Sequence, residues 1–127
     1  MSKICTTIEQ SKKLIELGLD ANTADMYYPH LGSEEYGDTP RVGKGMVYSG
    51  KEDIPSWSLS ALLNLLPHTD LDGVELNNYS DDRKVWTALF YWKNIRTQIK
   101  IADNPLDAVF KVVCWFLENK EIMKRIR

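Results

Sequence analysis

The sequence predicts an α+β fold, with N-terminal helices, a three-stranded antiparallel meander and a long C-terminal helix packed on the sheet. Three observations predict it: apolar residues recur at helical spacing over 7–17 and again over 106–117, and residues 95–101 alternate between apolar and polar. The chain has 127 residues, and a single domain typically has about 100–150 residues. We therefore predict one domain over 1–127.

The first helix is predicted over 7–17. Thr6 and Glu9 have capping-box spacing, so the Thr6 hydroxyl can accept an N–H of the first turn while Glu9 reaches back. Gly18 ends the helix, because glycine readily adopts the left-handed conformation found at helix C-termini. Residues 22–26 then predict a short helical turn.

Two further helices are bounded by prolines and by a capping residue. Pro55 near the start and Pro67 just past the end bracket a largely buried helix of roughly ten residues. Asn104 is a good N-cap for the C-terminal helix. Pro105 suits its first position, because proline lacks the N–H that would find no partner there.

Residues 29–53 are predicted to be an irregular, Gly-rich insertion within the domain. It contains five of the seven glycines: Gly32, Gly37, Gly43, Gly45 and Gly50. Val42 and residues 46–48 predict a short strand or hairpin inside it. A loop of this length in a compact domain is often functional or disordered, so the segment is the first place to look for a site.

Three strands are predicted, at 73–79, 84–92 and 95–101. A two-residue hairpin loop at Lys93 and Asn94 would set the register of the second and third strands. The pairs that follow are Trp92 with Ile95, Phe90 with Thr97 and Trp86 with Ile101. The core face of the second strand would then carry Trp86, Phe90 and Trp92. The loop around 80–82 leaves open which face Val74 and Leu76 occupy, since one residue more or less reverses them.

The opposite face of the meander is the candidate partner face. It would carry Val85, Leu89 and Tyr91 of the second strand beside Arg96 and Lys100 of the third. So many apolar side chains are unusual for a plain solvent surface, which leaves two alternatives: another helix covers this face, or a partner does. A second copy as partner would make the protein a homo-oligomer. Arg96 and Lys100 beside Tyr91 would also suit single-stranded nucleic acid, although the net charge opposes it.

Composition and charge argue against several classes of protein. The chain has 16 Lys and Arg against 18 Asp and Glu, a net charge of −2, whereas duplex-DNA binders are usually strongly basic. No apolar run approaches the ~18–20 residues of a membrane span, and the N-terminus lacks the apolar region of a secretory signal. The two cysteines suit a reducing cytosol better than a disulfide scaffold, so a cytoplasmic location is expected.

Motifs for catalysis and metal binding are missing from the sequence. Cys5, His30, His68 and Cys114 are scattered singletons, without the close ligand pairs of structural zinc sites. There is no nucleophile elbow and no local Cys–His signature. Nearly every carboxylate falls in a turn, at a helix start or on a polar helix face. We therefore predict a non-enzymatic protein with no cofactor.

The best candidate for a ligand site is segment 41–45, which joins two cations to two glycines. Backbone N–H groups of glycines can form an anion-binding nest, and Arg41 and Lys44 would meet phosphate. The aromatic residues around the segment could stack on a base; they are Tyr27, Tyr28, Tyr48 and Trp57. The alternative is structural: a solvated hairpin turn, with the rings anchoring a long loop onto the core.

Four segments together resemble a known family. They are 7–19 (TIEQSKKLIELGL), 23–28 (TADMYY), 53–63 (DIPSWSLSALL) and 103–108 (DNPLDA). Over most of its length, the chain resembles a family of small uncharacterised proteins in gut Bacteroidales genomes, their phages and mobile elements. The resemblance implies a cytoplasmic, phage-borne accessory protein, and it implies no reaction, cofactor or catalytic residue. Loop 32–50 looks like the part in which members differ most.

Together these observations predict a non-enzymatic accessory binding protein of a phage or mobile element. By analogy, small proteins of this kind commonly act by binding, and some sequester nucleotide messengers of host antiphage defence. The predicted ligand is therefore an anionic, nucleotide-like molecule. The alternative is a protein–protein interaction module, or a self-assembling subunit, that acts on a host or phage protein through the partner face without a small ligand.

Overall fold

The computed structural model describes residues 4–30, 39–44, 47–48, 51–78, 85–93 and 95–125, and for 47–48, 51–52 and 121–125 it describes the backbone alone. The described helices are α1 (Ile8–Glu16), α2 (Leu59–Asn64) and α3 (Pro105–Arg125), with a 3-10 turn at Ala21–Thr23. The described strands are β1 (Met26–Tyr28), β2 (Arg41–Val42), β3 (Val47–Tyr48), β4 (Lys51–Glu52), β5 (Ile54–Ser56), β6 (Gly73–Asn77), β7 (Trp86–Trp92) and β8 (Ile95–Ala102). The predicted α+β class is confirmed.

The first helix begins one residue later than predicted. Its capping box joins Thr7 and Gln10: the Gln10 N–H donates to Thr7 Oγ1 at 3.1 Å, and the Thr7 N–H donates to Gln10 Oε1 at 2.9 Å. The predicted box of Thr6 and Glu9 is wrong, because the Thr6 side chain is fully buried and bonds elsewhere. Gly18 ends the helix as predicted, at φ +95°.

Residues 21–56 contain more regular structure than the sequence predicted. The helical turn expected at 22–26 is a 3-10 turn followed by β1. That strand pairs antiparallel with β2 on one side and β5 on the other, which makes a second three-stranded sheet, and β3 and β4 form a hairpin. Residues 31–38, 45–46 and 49–50 of the predicted insertion lie outside the described residues.

The second helix is shorter than the predicted ten residues. It covers six residues, because Ser58 caps it and Pro55 belongs to the strand before it. The Ser58 hydroxyl accepts the Ala61 N–H at 3.2 Å. Asn104 caps α3 as predicted, since the Asp107 N–H donates to Asn104 Oδ1 at 2.9 Å.

The predicted meander is present, with strand order β6-β7-β8 and both pairs antiparallel. Its hairpin register begins as predicted, with Trp92 opposite Ile95. A β-bulge between Phe90 and Tyr91 then shifts the register by one residue. The remaining pairs differ from the prediction, because Phe90 lies opposite Gln98 and Trp86 lies opposite Ala102.

This one-residue shift reverses the faces of β8. Side chains alternate along a strand, so the extra residue at Thr97 moves every later side chain to the other face. Ile99 lies opposite Leu89 and Ile101 opposite Thr87, on the face away from α3. The predicted register, which placed Ile101 opposite Trp86 on the core face, is therefore wrong for this part of β8.

The main core lies between the meander and the three helices. On the sheet side it contains Ala88, Phe90 and Trp92 of β7, with Val74 and Leu76 of β6 packed against them; this decides the face that the sequence left open. Fully buried residues of the helices complete it, namely Leu14, Leu62, Leu106, Val109, Val112 and Val113. Burial of each such side chain contributes about 1.5–3 kcal/mol. Helix α3 thus packs on one face of the meander.

Candidate functional site

Segment 41–44 lies at the edge of the β2-β1-β5 sheet, in which β2 is an edge strand. Arg41 and Val42 are exposed and pair with β1, Arg41 opposite Tyr27. Gly43 adopts φ +120°, and its N–H donates to the Asp25 carbonyl at 2.9 Å. This N–H is therefore engaged within the chain. The predicted anion nest cannot use it, and Gly45 lies outside the described residues.

The ammonium of Lys44 binds backbone carbonyls at the end of the 3-10 turn. Its Nζ donates to the Ala24 carbonyl at 2.8 Å and also to the Asn22 carbonyl. These carbonyls have no helical partner at the end of such a short turn, so a cation suits them. Lys44 thus has a structural role that the sequence did not predict, beside its predicted role in the ligand site.

An open cleft of about 550 Å³ lies beside Lys44. Its lining combines the 3-10 turn, segment 43–44 and one side of α2; the polar side chains among its residues are Thr23, Asp25, Lys44, Ser60 and Asn64. The Asp25 carboxylate accepts hydrogen bonds from the Ser58 N–H and hydroxyl. The cleft has a size typical of small-ligand sites, and it offers both a cation and exposed hydroxyl and amide groups.

Two of the four predicted stacking rings are core residues. Trp57 is 0% exposed, and its Nε1 donates to Thr23 Oγ1 at 2.9 Å. Tyr28 is buried beside Cys5, with its hydroxyl donating to the Thr6 carbonyl at 2.9 Å. The prediction that these rings stack on a ligand is wrong for both, because Tyr28 in β1 and Trp57, which directly follows β5, are both turned into the core. Tyr27 is half-buried.

The fourth ring, Tyr48, lies in β3, and its side chain is outside the described residues. The predicted ligand site is thus reduced to Arg41, Lys44 and Tyr27 among the residues whose side chains are described. Arg41 and Tyr27 do not line the cleft beside Lys44.

The second candidate is the face of the meander opposite α3, which we call the outer face. Strand register places on it Gly73, Glu75 and Asn77 of β6, Thr87, Leu89 and Tyr91 of β7, and Arg96, Ile99 and Ile101 of β8. Val85, just before β7, continues the same alternation and is exposed. The Tyr91 hydroxyl donates to Glu75 Oε2 at 3.1 Å, which confirms that these two side chains share the face.

The outer face exposes large apolar side chains along one edge. Ile99 and Ile101 are 48% and 56% exposed. Leu89, in contrast, is only 7% exposed, since it lies on the central strand between Glu75 and Ile99. The predicted partner residue Leu89 is therefore buried at the base of this face, and Ile99 and Ile101 are its accessible apolar part.

Lys100 does not belong to the partner face, which corrects the prediction. It lies on the helix side of β8 and lines a groove of about 260 Å³ with Phe110, Cys114 and Trp115. The bulge is again the cause, because it separates Lys100 from Arg96, which lies opposite Tyr91 on the outer face. The two cations therefore do not form one basic surface beside Tyr91, as single-stranded nucleic acid would require.

Among the residues that the structure describes, two titratable groups have strongly shifted pKa values. Burial raises the pKa of the Tyr28 phenol to about 12, with the nearby Cys5 adding to the effect. Burial also raises the pKa of the Cys114 thiol to about 11. Each rise in pKa disfavours the ionised form, so the nucleophilic anion is scarcer than for an ordinary tyrosine or cysteine.

Within the described ranges, no group of three His, Cys, Asp or Glu side chains is arranged to hold a metal ion. None of the helices in the part of the chain that the structure describes is long and apolar enough to cross a membrane. No protein-family model matches the chain. The searches of curated proteins and of solved structures likewise find no match. The resemblance to the phage-associated family therefore stays a prediction, and function is argued from the two sites.

Proposed function

We propose that this protein is a non-enzymatic interaction module that binds another protein surface through the outer face. The observation that supports the proposal is the exposed row of Ile99 and Ile101 beside the apolar floor at Leu89. Burying branched apolar side chains against a partner stabilises the complex by roughly 25 cal/mol per Å² of apolar area removed from water. A contiguous apolar patch on a folded chain typically marks such an interface.

The predicted setting adds the biological context. The family resemblance implies a cytoplasmic accessory protein of a phage or mobile element, and in that setting the bound surface belongs to a host or phage protein or to the chain itself.

The test is site-specific photo-crosslinking in the organism that carries the gene. A photoreactive amino acid replaces Ile99 on the outer face and, as a matched control, Ile15, which is also partly exposed but lies on α1. We expect a discrete covalent protein adduct from position 99 and none from position 15. The adduct should disappear when Ile101→Asp is added on the same face and persist when Ile4→Asp is added elsewhere.

Two results would overturn this function. One is the absence of any protein adduct from position 99 at natural expression levels. The other is an adduct that survives Ile101→Asp unchanged, since a charge beside the crosslinking position should disrupt an apolar contact. Circular dichroism of each variant establishes that it is folded.

A second candidate function, the sequestration of an anionic nucleotide-like molecule, is favoured by the cleft beside Lys44. Native mass spectrometry with ATP and with a cyclic dinucleotide tests it. We expect Ser60→Trp to abolish binding by filling the cleft, because Ser60 is an exposed lining residue. Lys13→Trp, on the exposed side of α1, is the control. Absence of binding to the unaltered chain, or binding that survives Ser60→Trp, excludes the cleft as the site for these ligands.

A further inference from the structure

We propose that the surface bound by the outer face is a second copy of this chain, packed face to face about a two-fold axis parallel to the strands. This inference rests on the proposed function, because it names the partner of the same face. It is argued from the distribution of charge on that face, from the state of the sheet edge and from the area available.

The outer face carries opposite charges on its two edges. Within the described part of the meander, its charged residues are Glu75 on β6 and Arg96 on β8, and both are exposed. An acidic groove of about 280 Å³ extends the negative edge, with Asp70 and Asp72 lining it beside Glu75 and Tyr91. One edge of this face is therefore negative and the other positive, which is the pattern of a self-complementary surface.

The symmetry axis follows from this pattern. A two-fold axis parallel to the strands lays β6 of one copy over β8 of the other, so Glu75 faces the edge that carries the second copy's Arg96. Glu75 is level with Leu89, and Arg96 is level with Tyr91, two residues further along. With sheets ~10 Å apart and a rise of ~3.3 Å per residue, the two Cα atoms lie about 12 Å apart, within the combined reach of the two side chains.

The other in-plane axis is unfavourable. An axis perpendicular to the strands stacks β6 over β6 and β8 over β8, so that Glu75 approaches Glu75 and Arg96 approaches Arg96. Like charges brought together across an interface oppose association. The charge pattern thus selects one of the two symmetric arrangements, and in it each dimer gains two Glu75–Arg96 pairs.

Edge-to-edge pairing of β8 is also disfavoured. One carbonyl of this strand already accepts a hydrogen bond from a side chain outside the sheet: Lys111 Nζ donates to the Ile101 carbonyl at 2.7 Å. The bulge further distorts the edge. Bulges and lysines are two devices by which proteins prevent strand addition at an edge, so the apolar contact occurs through the face.

The area of the face predicts a reversible dimer. Three strands ~4.8 Å apart and about seven residues long give a plan area of only about 300 Å². Standard stable interfaces bury about 800 Å² on each partner, and smaller ones belong to weak or transient complexes. We therefore expect a dimer that dissociates on dilution and, because two ion pairs contribute, weakens at higher salt.

Charge reversal in separate chains tests the arrangement by sedimentation velocity over a concentration series. Arg96→Glu alone and Glu75→Arg alone should each be monomeric at concentrations at which the unaltered chain is dimeric. An equimolar mixture of the two should form a heterodimer, because Glu75 of the first variant then meets Arg96 of the second, and the two introduced charges, which are also opposite, meet each other. The controls Lys13→Glu and Glu16→Arg on α1 should leave the unaltered dimer intact.

Each remaining result overturns the inference. These are a chain that stays monomeric at every concentration, a dimer indifferent to both reversals, and a mixture that stays monomeric. If either variant melts early and is unfolded, crosslinking from Ile99 decides instead: its adduct must be two copies of the chain joined through 73–77, 86–92 or 95–102. An adduct between position 99 and a different protein would overturn the self-association and leave the proposed function standing.

Discussion

At the scale of single residues, the hydroxyl of Thr6 has the most connections in the described core. Its Oγ1 lies 2.8 Å from Ser11 Oγ and 3.1 Å from Ser56 Oγ, and it accepts the Trp57 N–H at 3.1 Å. The Thr6 backbone also pairs with Trp57, and its carbonyl accepts the Tyr28 hydroxyl. The Thr6 side chain therefore links α1 to β5, and the Thr6 carbonyl adds a link to β1.

The change Thr6→Val removes this hydroxyl while keeping the shape of the side chain. We expect it to lower the free energy of unfolding by about 1–3 kcal/mol, because buried partners lose a hydrogen bond. Urea unfolding followed by circular dichroism measures the loss. Ser60→Ala, at an exposed hydroxyl on α2, should change stability by less than about 0.5 kcal/mol. Equal effects of the two changes would contradict the prediction.

The raised pKa of Tyr28 predicts how stability depends on pH. The pKa of the phenol is 10.0 in the unfolded chain and about 12 in the fold. Below pH 10 both states hold the proton, and the fold keeps its full stability. As pH rises from 10 through 12 only the unfolded state loses the proton, so stability falls. Thermal melts should show this decline, and Tyr28→Phe should flatten it; an identical slope in both would exclude Tyr28 as its source.

At the scale of elements, the meander shows how one extra residue changes which side chains lie on each face of a sheet. The alternation over 95–101 correctly predicted a strand, but alternation alone does not say which of its faces is buried. The bulge opposite Phe90 and Tyr91 makes that choice, and it turns Ile99 and Ile101 outward. The sheet then has an apolar surface on both sides.

The change Ile99→Ser distinguishes the two registers. With Ile99 on the outer face, we expect a change in monomer stability of no more than about 0.5 kcal/mol. In the unbulged register the same residue would be in the core, where losing such a side chain costs about 2–5 kcal/mol. Urea unfolding below the dimer dissociation constant measures the difference. Val109→Ser, at a fully buried site on α3, supplies the expected value for a core position.

At the scale of the whole molecule, one apolar cluster joins the main elements. Leu14 of α1, Leu62 of α2, Phe90 of β7 and Val109 of α3 are all buried in it. The Phe90 ring meets Trp115 and Phe116 of α3 with ring centres 6.0 Å apart in both cases. A smaller cluster contains Cys5 and the β1 residues Met26 and Tyr28. β7 pairs on both sides and is the structural centre of the larger cluster.

Native-state hydrogen exchange tests this hierarchy. We expect the Ala88 and Phe90 amides of the central strand to exchange only through global unfolding, and the Val42 amide of β2 to exchange through local opening. With a global stability of about 5 kcal/mol or more, the rates should differ by at least roughly a thousandfold. Similar rates in β2 and β7 would mean that the two sheets open together.

Local sequence signals determined most helix and strand positions. Asn104 with Pro105 predicted the start of α3, Gly18 the end of α1, and the 93–94 loop the first pair of the hairpin. Each is a property of a few neighbouring residues, so the sequence alone suffices. The class of the fold follows from these elements.

Only the tertiary structure decided which residues are available to a partner or ligand. Trp57 and Tyr28 were predicted in a ligand site and lie in the core, while Ile101 was predicted opposite Trp86 on the core face and lies, with Ile99, on the outer face. The physical reason is that burial depends on register and on what packs across an element. A one-residue bulge, or the inward turn of a short strand, leaves the periodicity of the sequence intact while reversing what it exposes.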